Sequence, residues 1–365
     1  MIRFALLPPV LGCLLLAGCQ SSREDASEAL RYNEVQFLGS HNSYKLPIDP
    51  VVLSQLSSQN PAAAFSLDYS HAPLDEQLDI GLRKLELDIF YDPEGGRYAT
   101  PMGAAMPGAS EYDPDGRMQV PGFKTLHVQD IDFRSHCLLF VDCLATIRSW
   151  SDDNPGHFPL LVTINAKTGR IDQPGFVEPL PFDRQAWDAL DREIRGALGD
   201  RLVEPDDIRG DAETLRAAVL ASWPTVDQLR GKVLFLLDDS AEKKRAYAEG
   251  HPSLKGRAMF VDAPEDAPEA AFRIVNDPVS QEPYIRELVR QGFIVRTRSD
   301  ADTREARSGD DRRLEAALRS GAQIISTDYY LPETRFGTGF VVALPGGAPV
   351  RCNPVLVTDA CTVPE

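Results

Sequence analysis

Basic residues are scarce relative to acidic ones: the 365-residue chain has 38 Lys and Arg against 55 Asp and Glu, a net charge of −17. Removal of residues 1–18, which contain only one charged residue, Arg3, would leave about −18. Such a field repels polyanions, so nucleic acid is not expected as a partner. Because salt screens exposed charges beyond about 8–10 Å, a local cationic pocket can still hold phosphate.

The apolar run at the N-terminus is short, which excludes a membrane span there. It follows Arg3, is interrupted by two prolines and ends at residues 16–19, LAGC. This is the layout of a secretory signal. The LAGC segment resembles the lipobox of bacterial lipoproteins. The resemblance implies a signal peptide over residues 1–18, lipidation of Cys19 and a membrane anchor in the cell envelope. An ordinary cleaved signal with an incidental cysteine is the alternative.

The residues after Cys19 are polar and acidic, as a tether between an anchor and a domain would be. We therefore expect a tether over residues 19–32. Gln20 is not the Asp associated with inner-membrane retention in some bacteria, which favours the outer membrane or a position facing the periplasm.

Cysteine is also rare, with six in the chain. Once the signal is removed and Cys19 is acylated, two close pairs remain: Cys137 with Cys143, and Cys352 with Cys361. Export makes disulfides chemically reasonable. The pairs lack neighbouring histidines, which is poor for zinc, so both are predicted to be structural disulfides.

The chain lacks an apparent internal repeat, and no Pro/Ser-rich linker divides residues 35–345. We expect one large domain over residues 33–345, followed by a C-terminal tail over residues 346–365 that a disulfide staples. Residues 92–122 are rich in Gly, Pro and Met and have no periodicity, which predicts an insertion over one end of the domain.

Eight apolar, β-rich runs are separated by amphipathic stretches. The runs are residues 35–40, 83–90, 124–130, 159–167, 232–239, 258–264, 293–300 and 323–330. Helices are predicted over residues 75–82, 143–154, 184–198, 280–291 and 310–321. Nearly continuous apolar strands are typical of parallel sheets that are buried on both faces. Eight β/α units predict an α/β fold closed into a (β/α)8 barrel, with an open doubly wound sheet as the alternative.

Polar side chains cluster where the predicted strands end, which is where barrel enzymes place their active sites. They are His41, Asn42, Glu86, Asp88, His127, Asn165, Lys167, Arg296, Arg298 and Asp328. Residues two apart on a strand share a face. Glu86 and Asp88 can therefore point together toward the barrel mouth, and inside an apolar strand two carboxylates need a cation partner.

Several blocks of the sequence resemble the calcium-dependent, phosphatidylinositol-specific phospholipase C-like family. They are GSHNSY (39–44), the stretch 67–99, LHVQDIDFRSHC (126–137), VRTRSDADTREAR (295–307) and ISTDYY (325–330). The blocks occur in order on predicted strand ends and cover roughly residues 33–335.

The resemblance implies that His41 and His127 flank a phosphodiester. One would stabilise the pentacovalent transition state and the other would protonate the leaving alcohol, a role that suits an imidazole with a pKa near 6.5. It also implies that Asn42, Glu86 and Asp88 ligate a divalent cation, with Glu86 also a candidate base. Oxygen donors favour Ca²⁺, with Mg²⁺ as the alternative.

The sequence departs from the family pattern at Asn165, where a Glu is usual. An amide oxygen can still ligate Ca²⁺ but brings no charge, so weaker metal binding or a different ion is expected.

Lys167, Arg296 and Arg298 are candidates for holding phosphate or the head group. The alternative for each Arg is a structural ion pair, for instance of Arg298 with Asp300 or Asp328. His71 precedes a helix, so it is expected to orient a loop rather than to catalyse. His136, His157 and His251 are assigned no role.

Together with the resemblance, these residues predict a metal-dependent, phospholipase C-type phosphodiesterase that cleaves a glycerophospholipid or a related phosphodiester. A glycerophosphodiester phosphodiesterase is the alternative enzyme, disfavoured because its usual His-Arg-Gly opening is replaced by His41-Asn42-Ser43. A catalytically degenerate envelope lipoprotein that binds head groups is the alternative of a different class.

Overall fold

A computed structural model describes residues 1, 30–358 and 361–363. Cys19, nearly all of the predicted signal peptide and most of the predicted tether lie outside this part of the chain. The strands are β1 (Val35–Ser40), β2 (Lys84–Phe90), β3 (Lys124–Thr125), β4 (Leu160–Ala166), β5 (Leu202–Val203), β6 (Val233–Leu237), β7 (Phe260–Val261), β8 (Phe272–Ile274), β9 (Ile294–Arg298), β10 (Ile324–Thr327) and β11 (Val350–Cys352).

The helices surround these strands. They are α1 (Pro50–Gln59), α2 (Pro61–Leu67), α3 (Leu74–Ile80), α4 (Phe140–Asp153), α5 (Arg184–Leu198), α6 (Pro205–Arg209), α7 (Leu215–Ala221), α8 (Val226–Leu229), α9 (Ala241–Ala248), α10 (Pro278–Gln291), α11 (Arg304–Ser308) and α12 (Arg312–Ser320). All five helices expected from the sequence form. Among the described residues, no helix is long and apolar enough to cross a membrane.

Eight parallel strands close into a barrel. Their order around it is β1, β2, β4, β6, β7, β8, β9 and β10, and β10 pairs with β1 again. The bridge between Asp262 and Phe272 joins β7 to β8 and completes the ring. The (β/α)8 barrel predicted from the sequence is therefore confirmed, and the carboxyl ends of its strands define the mouth.

One predicted strand is wrong as a barrel strand. Residues 124–130 contribute only β3, which pairs antiparallel with the end of β2; the chain then turns back, with Val128 bridging to Asp132. The eighth barrel strand is instead β8, which has three residues. A strand of three residues is too short to be recognised from an apolar run in the sequence. Its pairing with the neighbouring barrel strands identifies it.

The barrel interior is polar beneath the mouth. Lys84 is completely buried, and its side chain occupies the space beside Gly39. A Cβ on Gly39 would lie 2.4 Å from Lys84 Cβ and 2.6 Å from Lys84 O. The absence of a side chain at Gly39 therefore makes room for a lysine stem inside the barrel.

Both predicted disulfides form, Cys137–Cys143 and Cys352–Cys361. The second lies in the tail, whose strand β11 pairs antiparallel with the start of β1. The start of β1 lies at the amino end of the barrel, opposite the mouth. Residues 30 and 31 also lie at this end, where Arg31 bridges to Thr225 and Leu30 O accepts a hydrogen bond from Val226 N.

Candidate active site

His41 follows β1 at the mouth and is held from both sides of its ring. Its backbone N–H donates to Thr327 O (2.9 Å). Nδ1 lies 3.0 Å from Asp328 Oδ1, and Nε2 lies 3.6 Å from Glu86 Oε1. Burial and then the Arg298 charge lower the pKa of His41, against the opposing effect of the two carboxylates. The His41 side chain is 19% exposed.

Asp328 is the centre of a small ionic cluster at the end of β10. Arg298 Nη2 donates to Asp328 Oδ2 (3.0 Å), and Arg298 Nη1 lies 3.3 Å from His41 Nε2. Burial raises the pKa of Asp328, but His41 and Arg298 outweigh it and hold that pKa well below its usual value. Asp328 thus stays ionised and can accept the Nδ1 proton of His41.

The Glu86 side chain points from β2 into the barrel, where it lies between Lys84 and Arg296. Its Oε2 lies 2.5 Å from Lys84 Nζ and 2.9 Å from Arg296 Nη2, and it accepts from Thr163 Oγ1 at 3.2 Å. Burial raises the pKa of Glu86, but Lys84, His41 and Arg296 lower it further than burial raises it. The cations engage one carboxylate oxygen, and the other, Oε1, faces His41.

Asp88 and Asn165 are paired neighbours on β2 and β4. Lys167 Nζ lies 3.0 Å from Asp88 Oδ2. The Asn165 amide donates to Asp238 O (2.8 Å), and the Asn42 amide donates to Tyr69 Oη (2.7 Å). With each NH₂ group engaged, the amide oxygen is the atom of each asparagine that remains for a ligand.

Asn42, Glu86, Asp88 and Asn165 have the donor chemistry that a hard divalent cation prefers. Two carboxylates and two amide oxygens make up an oxygen-only donor set, which suits Ca²⁺ or Mg²⁺. Within the described residues, no group of three or more His, Cys, Asp or Glu side chains is arranged to hold a metal ion. A site here therefore depends on Asn42 and Asn165 in addition to Glu86 and Asp88.

His127 is not carried by a barrel strand. It lies in the tight turn after β3, where its N–H donates to Asp132 O (3.2 Å). Its Nδ1 is 2.8 Å from Asp132 Oδ2, and Asp132 is also 3.3 Å from Lys45 Nζ. The turn thus builds a second His–Asp pair.

Tyr69 links the two pairs. Lys45 Nζ donates to Tyr69 O (2.7 Å), and Tyr69 Oη lies 3.5 Å from His41 Nδ1. His71 packs beside them: it stacks on Tyr330 with ring centroids 5.5 Å apart, and its Nε2 lies 3.7 Å from Asp328 Oδ1.

Sequence reasoning missed four participants, Lys84, Lys45, Asp132 and Tyr69. Lys84 precedes Glu86 by two residues, so the alternation Lys-Leu-Glu-Leu-Asp on one strand face could have indicated it. Lys45 and Asp132 could not have been found this way, because only the turn that replaces a predicted strand brings Asp132 to His127.

Two His–Asp pairs beside an acidic strand at the mouth of a β/α barrel define the chain as a barrel enzyme equipped for acid–base chemistry. The family model described as Ca²⁺-dependent phosphoinositide phospholipase C matches residues 30–354. The chain belongs to this family and is a phosphoric diester hydrolase.

Solved structures of similar fold include two bacterial enzymes. A calcium-dependent phosphoinositol-specific phospholipase C from Pseudomonas sp. shares 20% identity with a TM-score of 0.53, covering 90% of this chain and 97% of that one. A Ca²⁺-dependent phosphatidylinositol-specific phospholipase C from Streptomyces antibioticus shares 19% identity with a TM-score of 0.52, covering 83% and 96%. These likenesses show the fold. No curated protein matches the chain significantly.

Proposed function

We propose that the chain is a phospholipase C that cleaves the phosphodiester of a phosphatidylinositol-type glycerophospholipid, with His41 and His127 as its acid–base residues. The observation that carries the proposal is the pair of His–Asp contacts at the mouth, His41 with Asp328 at 3.0 Å and His127 with Asp132 at 2.8 Å. Membership of the calcium-dependent family supports the substrate class.

Each aspartate fixes which nitrogen of its histidine exchanges protons. Asp328 and Asp132 accept from Nδ1, so Nε2 of each ring is the atom presented to substrate. When protonated, His41 Nε2 can donate to a nonbridging phosphate oxygen, and Arg298, whose Nη1 lies 3.3 Å from Nε2, stabilises the same negative charge. His127 is then the donor to the leaving alcohol, and Glu86 Oε1 is the acceptor for the attacking hydroxyl.

Asn42, Glu86, Asp88 and Asn165 are the residues that would hold calcium, with magnesium as the alternative. When bound, the cation would neutralise nonbridging phosphate oxygens and lower the pKa of the attacking hydroxyl. Lys84 and Arg296 bind Glu86 on its inner oxygen and so hold its outer oxygen in place.

The three proposed substrate cations differ in exposure. Arg296 is 2% exposed and also binds Asn276, so we assign it to positioning Glu86. Lys167 and Arg298 are 26% and 13% exposed. These two are the groups that reach a bound phosphate or head group.

The test is hydrolysis of phosphatidylinositol, phosphatidylglycerol and glycerophosphoinositol by the purified chain with Ca²⁺, Mg²⁺ or EDTA. We expect metal-dependent cleavage that falls at least about 10²-fold in His41→Ala and in Glu86→Ala, the range for loss of an acid–base group. Activity that persists in EDTA would refute the metal assignment. Head-group binding by the folded protein without turnover of any substrate would favour a binding lipoprotein instead.

We also propose that the protein is exported and lipidated at Cys19, on the LAGC segment and the acidic residues that follow it. Metabolic labelling with an alkynyl fatty acid should tag the wild-type protein and not Cys19→Ser. Labelling that survives the substitution would contradict the anchor.

A further inference from the structure

A cavity of about 370 Å³ lies beside the candidate site and has no role in the chemistry above. Its apolar walls are Val52 and Leu56 of α1, Met102 and Met106 of the segment after β2, and Ile171 and Phe176 of the segment after β4. We call it the α1 pocket. Its volume is in the range of small-molecule sites.

The α1 pocket opens at the same end of the barrel as the candidate site. Its walls come from segments that follow β1, β2 and β4, and each of these leaves its strand at the carboxyl end. Asp130 and Ile131, in the turn between His127 and Asp132, also line it, and its polar lining residues are Gln55, Gln59, Asn60 and Gln173. The pocket and the second His–Asp pair therefore share one short turn.

Asp130 holds the pocket walls together. Its carboxylate accepts from Met102 N (2.8 Å) and from Val177 N (2.7 Å), which joins the two wall segments to the His127 turn. Gly103 packs so closely that a Cβ would lie 2.7 Å from Asp130 O. The cavity is therefore preformed, because hydrogen bonds between its wall segments fix its shape before a ligand binds.

We propose that the α1 pocket binds an acyl chain of the phospholipid whose head group and phosphate occupy the candidate site; this inference rests on the proposed function. The leaving group of the reaction is the diacylglycerol half of the lipid. If His127 protonates the leaving oxygen, the attached chains begin next to the turn that borders the pocket. An apolar cavity there removes part of a chain from water.

The described chain enters the domain at the end of the barrel opposite the α1 pocket. The chain enters the described domain at Leu30 and Arg31, which pair with residues at the amino end of the barrel. The α1 pocket lies at the opposite end, so the acyl chain is the occupant consistent with both the position and the chemistry of the site.

The test compares kcat/KM for monomeric dihexanoyl phosphatidylinositol with that for glycerophosphoinositol, which removes membrane adsorption from the comparison. We expect the ratio of the two values to fall about tenfold in Met106→Gln and further in Leu56→Gln/Met106→Gln, as for loss of one or two methylene contacts in an apolar site. Leu331→Gln is the matched control, because Leu331 follows β10 at the mouth, is 48% exposed and does not line the pocket.

A wild-type ratio near one, or an unchanged ratio in both pocket variants, would overturn the inference while leaving the proposed function intact. An equal fall in Leu331→Gln would also overturn it, since the whole mouth would then act as an apolar surface. Met106 lies in a loop, so Met106→Gln keeps the test usable if the double variant fails to fold.

A second readout does not depend on turnover. Dansyl-undecanoate should bind the wild type with a fluorescence increase, and Met106→Gln should weaken that binding about tenfold relative to Leu331→Gln. If no substrate of the panel is cleaved but this binding pattern holds, the proposed function fails and the pocket stands. The acyl-chain proposal would be refuted if the probe does not bind. It would also be refuted if binding is lost as the protein concentration rises, because a second copy of the chain would then cover the pocket.

Discussion

At the scale of single residues, the site depends on carboxylates whose partners keep them ionised. Asp328 and Glu86 are both buried, yet each has a pKa well below its usual value because arginine and histidine, and for Glu86 also lysine, lie within contact distance. Buried charges of this kind are costly when one partner is removed. A substitution at Asp328 or Glu86 should therefore lower both the catalytic rate and the free energy of unfolding, and the two effects can be measured separately.

Asp328→Asn should lower kcat about 10²-fold with little change in KM, because an amide at this position no longer selects the Nδ1–H form of His41. Steady-state kinetics on phosphatidylinositol would measure both constants. Asp310→Asn is the control, since Asp310 pairs only locally with Arg312 on the surface. A parallel rise in KM, or equal loss in the control, would argue against the orienting role.

Asn165→Glu should tighten calcium binding about tenfold, because a third carboxylate raises the negative charge of the donor set. Isothermal titration of the folded protein with Ca²⁺ measures this without reference to turnover. Asn165→Gln keeps the amide and should not tighten binding. Equal affinities in the wild type and Asn165→Glu would mean that the metal lies elsewhere.

At the scale of elements, the long strands and helices were predictable and the short ones were not. The predicted runs around β1, β2, β4 and β9 match strands whose residues are almost all buried. β8 has three residues, and hydrogen bonds from neighbouring strands define it, so no local pattern indicates it. The predicted strand at 124–130 failed because Asp132 turns the chain back toward Val128.

The helix α5 carries a partly buried acid, Glu193, that should make stability depend on pH. Burial raises the pKa of Glu193 from 4.5 to about 7, although Lys124 opposes the shift. The folded state therefore holds this proton more tightly than the unfolded state, so stability is full below pH 4.5 and is lost as the pH rises through about 7.

Glu193→Gln should remove this loss of folding stability at higher pH. The variant should gain on the order of 1–2 kcal/mol relative to the wild type between pH 5 and pH 8, after allowance for solvent screening of a partly exposed group. Urea denaturation at the two pH values measures the difference. Glu287→Gln, on the exposed face of α10, should show no such gain, and a pH-independent difference for Glu193→Gln would contradict the assignment.

At the scale of the whole molecule, barrel topology explains how sequence alone located much of the candidate site. Parallel strands bring their carboxyl ends to one edge, so His41, Glu86 and Asn165 were expected to converge although they are far apart in sequence. The structure places them at that mouth. The same logic could not predict Lys45 or Asp132, whose positions depend on a loop, nor the α1 pocket, which three separate connections enclose.

The entry of the chain at the amino end of the barrel would set the orientation of the enzyme if Cys19 carries the proposed lipid. Leu30 hydrogen-bonds there, opposite the mouth. Ten residues lie between Cys19 and Leu30, so the chain from one to the other spans at most about 40 Å at full extension, whereas a domain of this size is about 50 Å across. A lipid on Cys19 would therefore hold the mouth away from its own bilayer. The enzyme would then act in trans, on lipid presented from the facing side of the compartment.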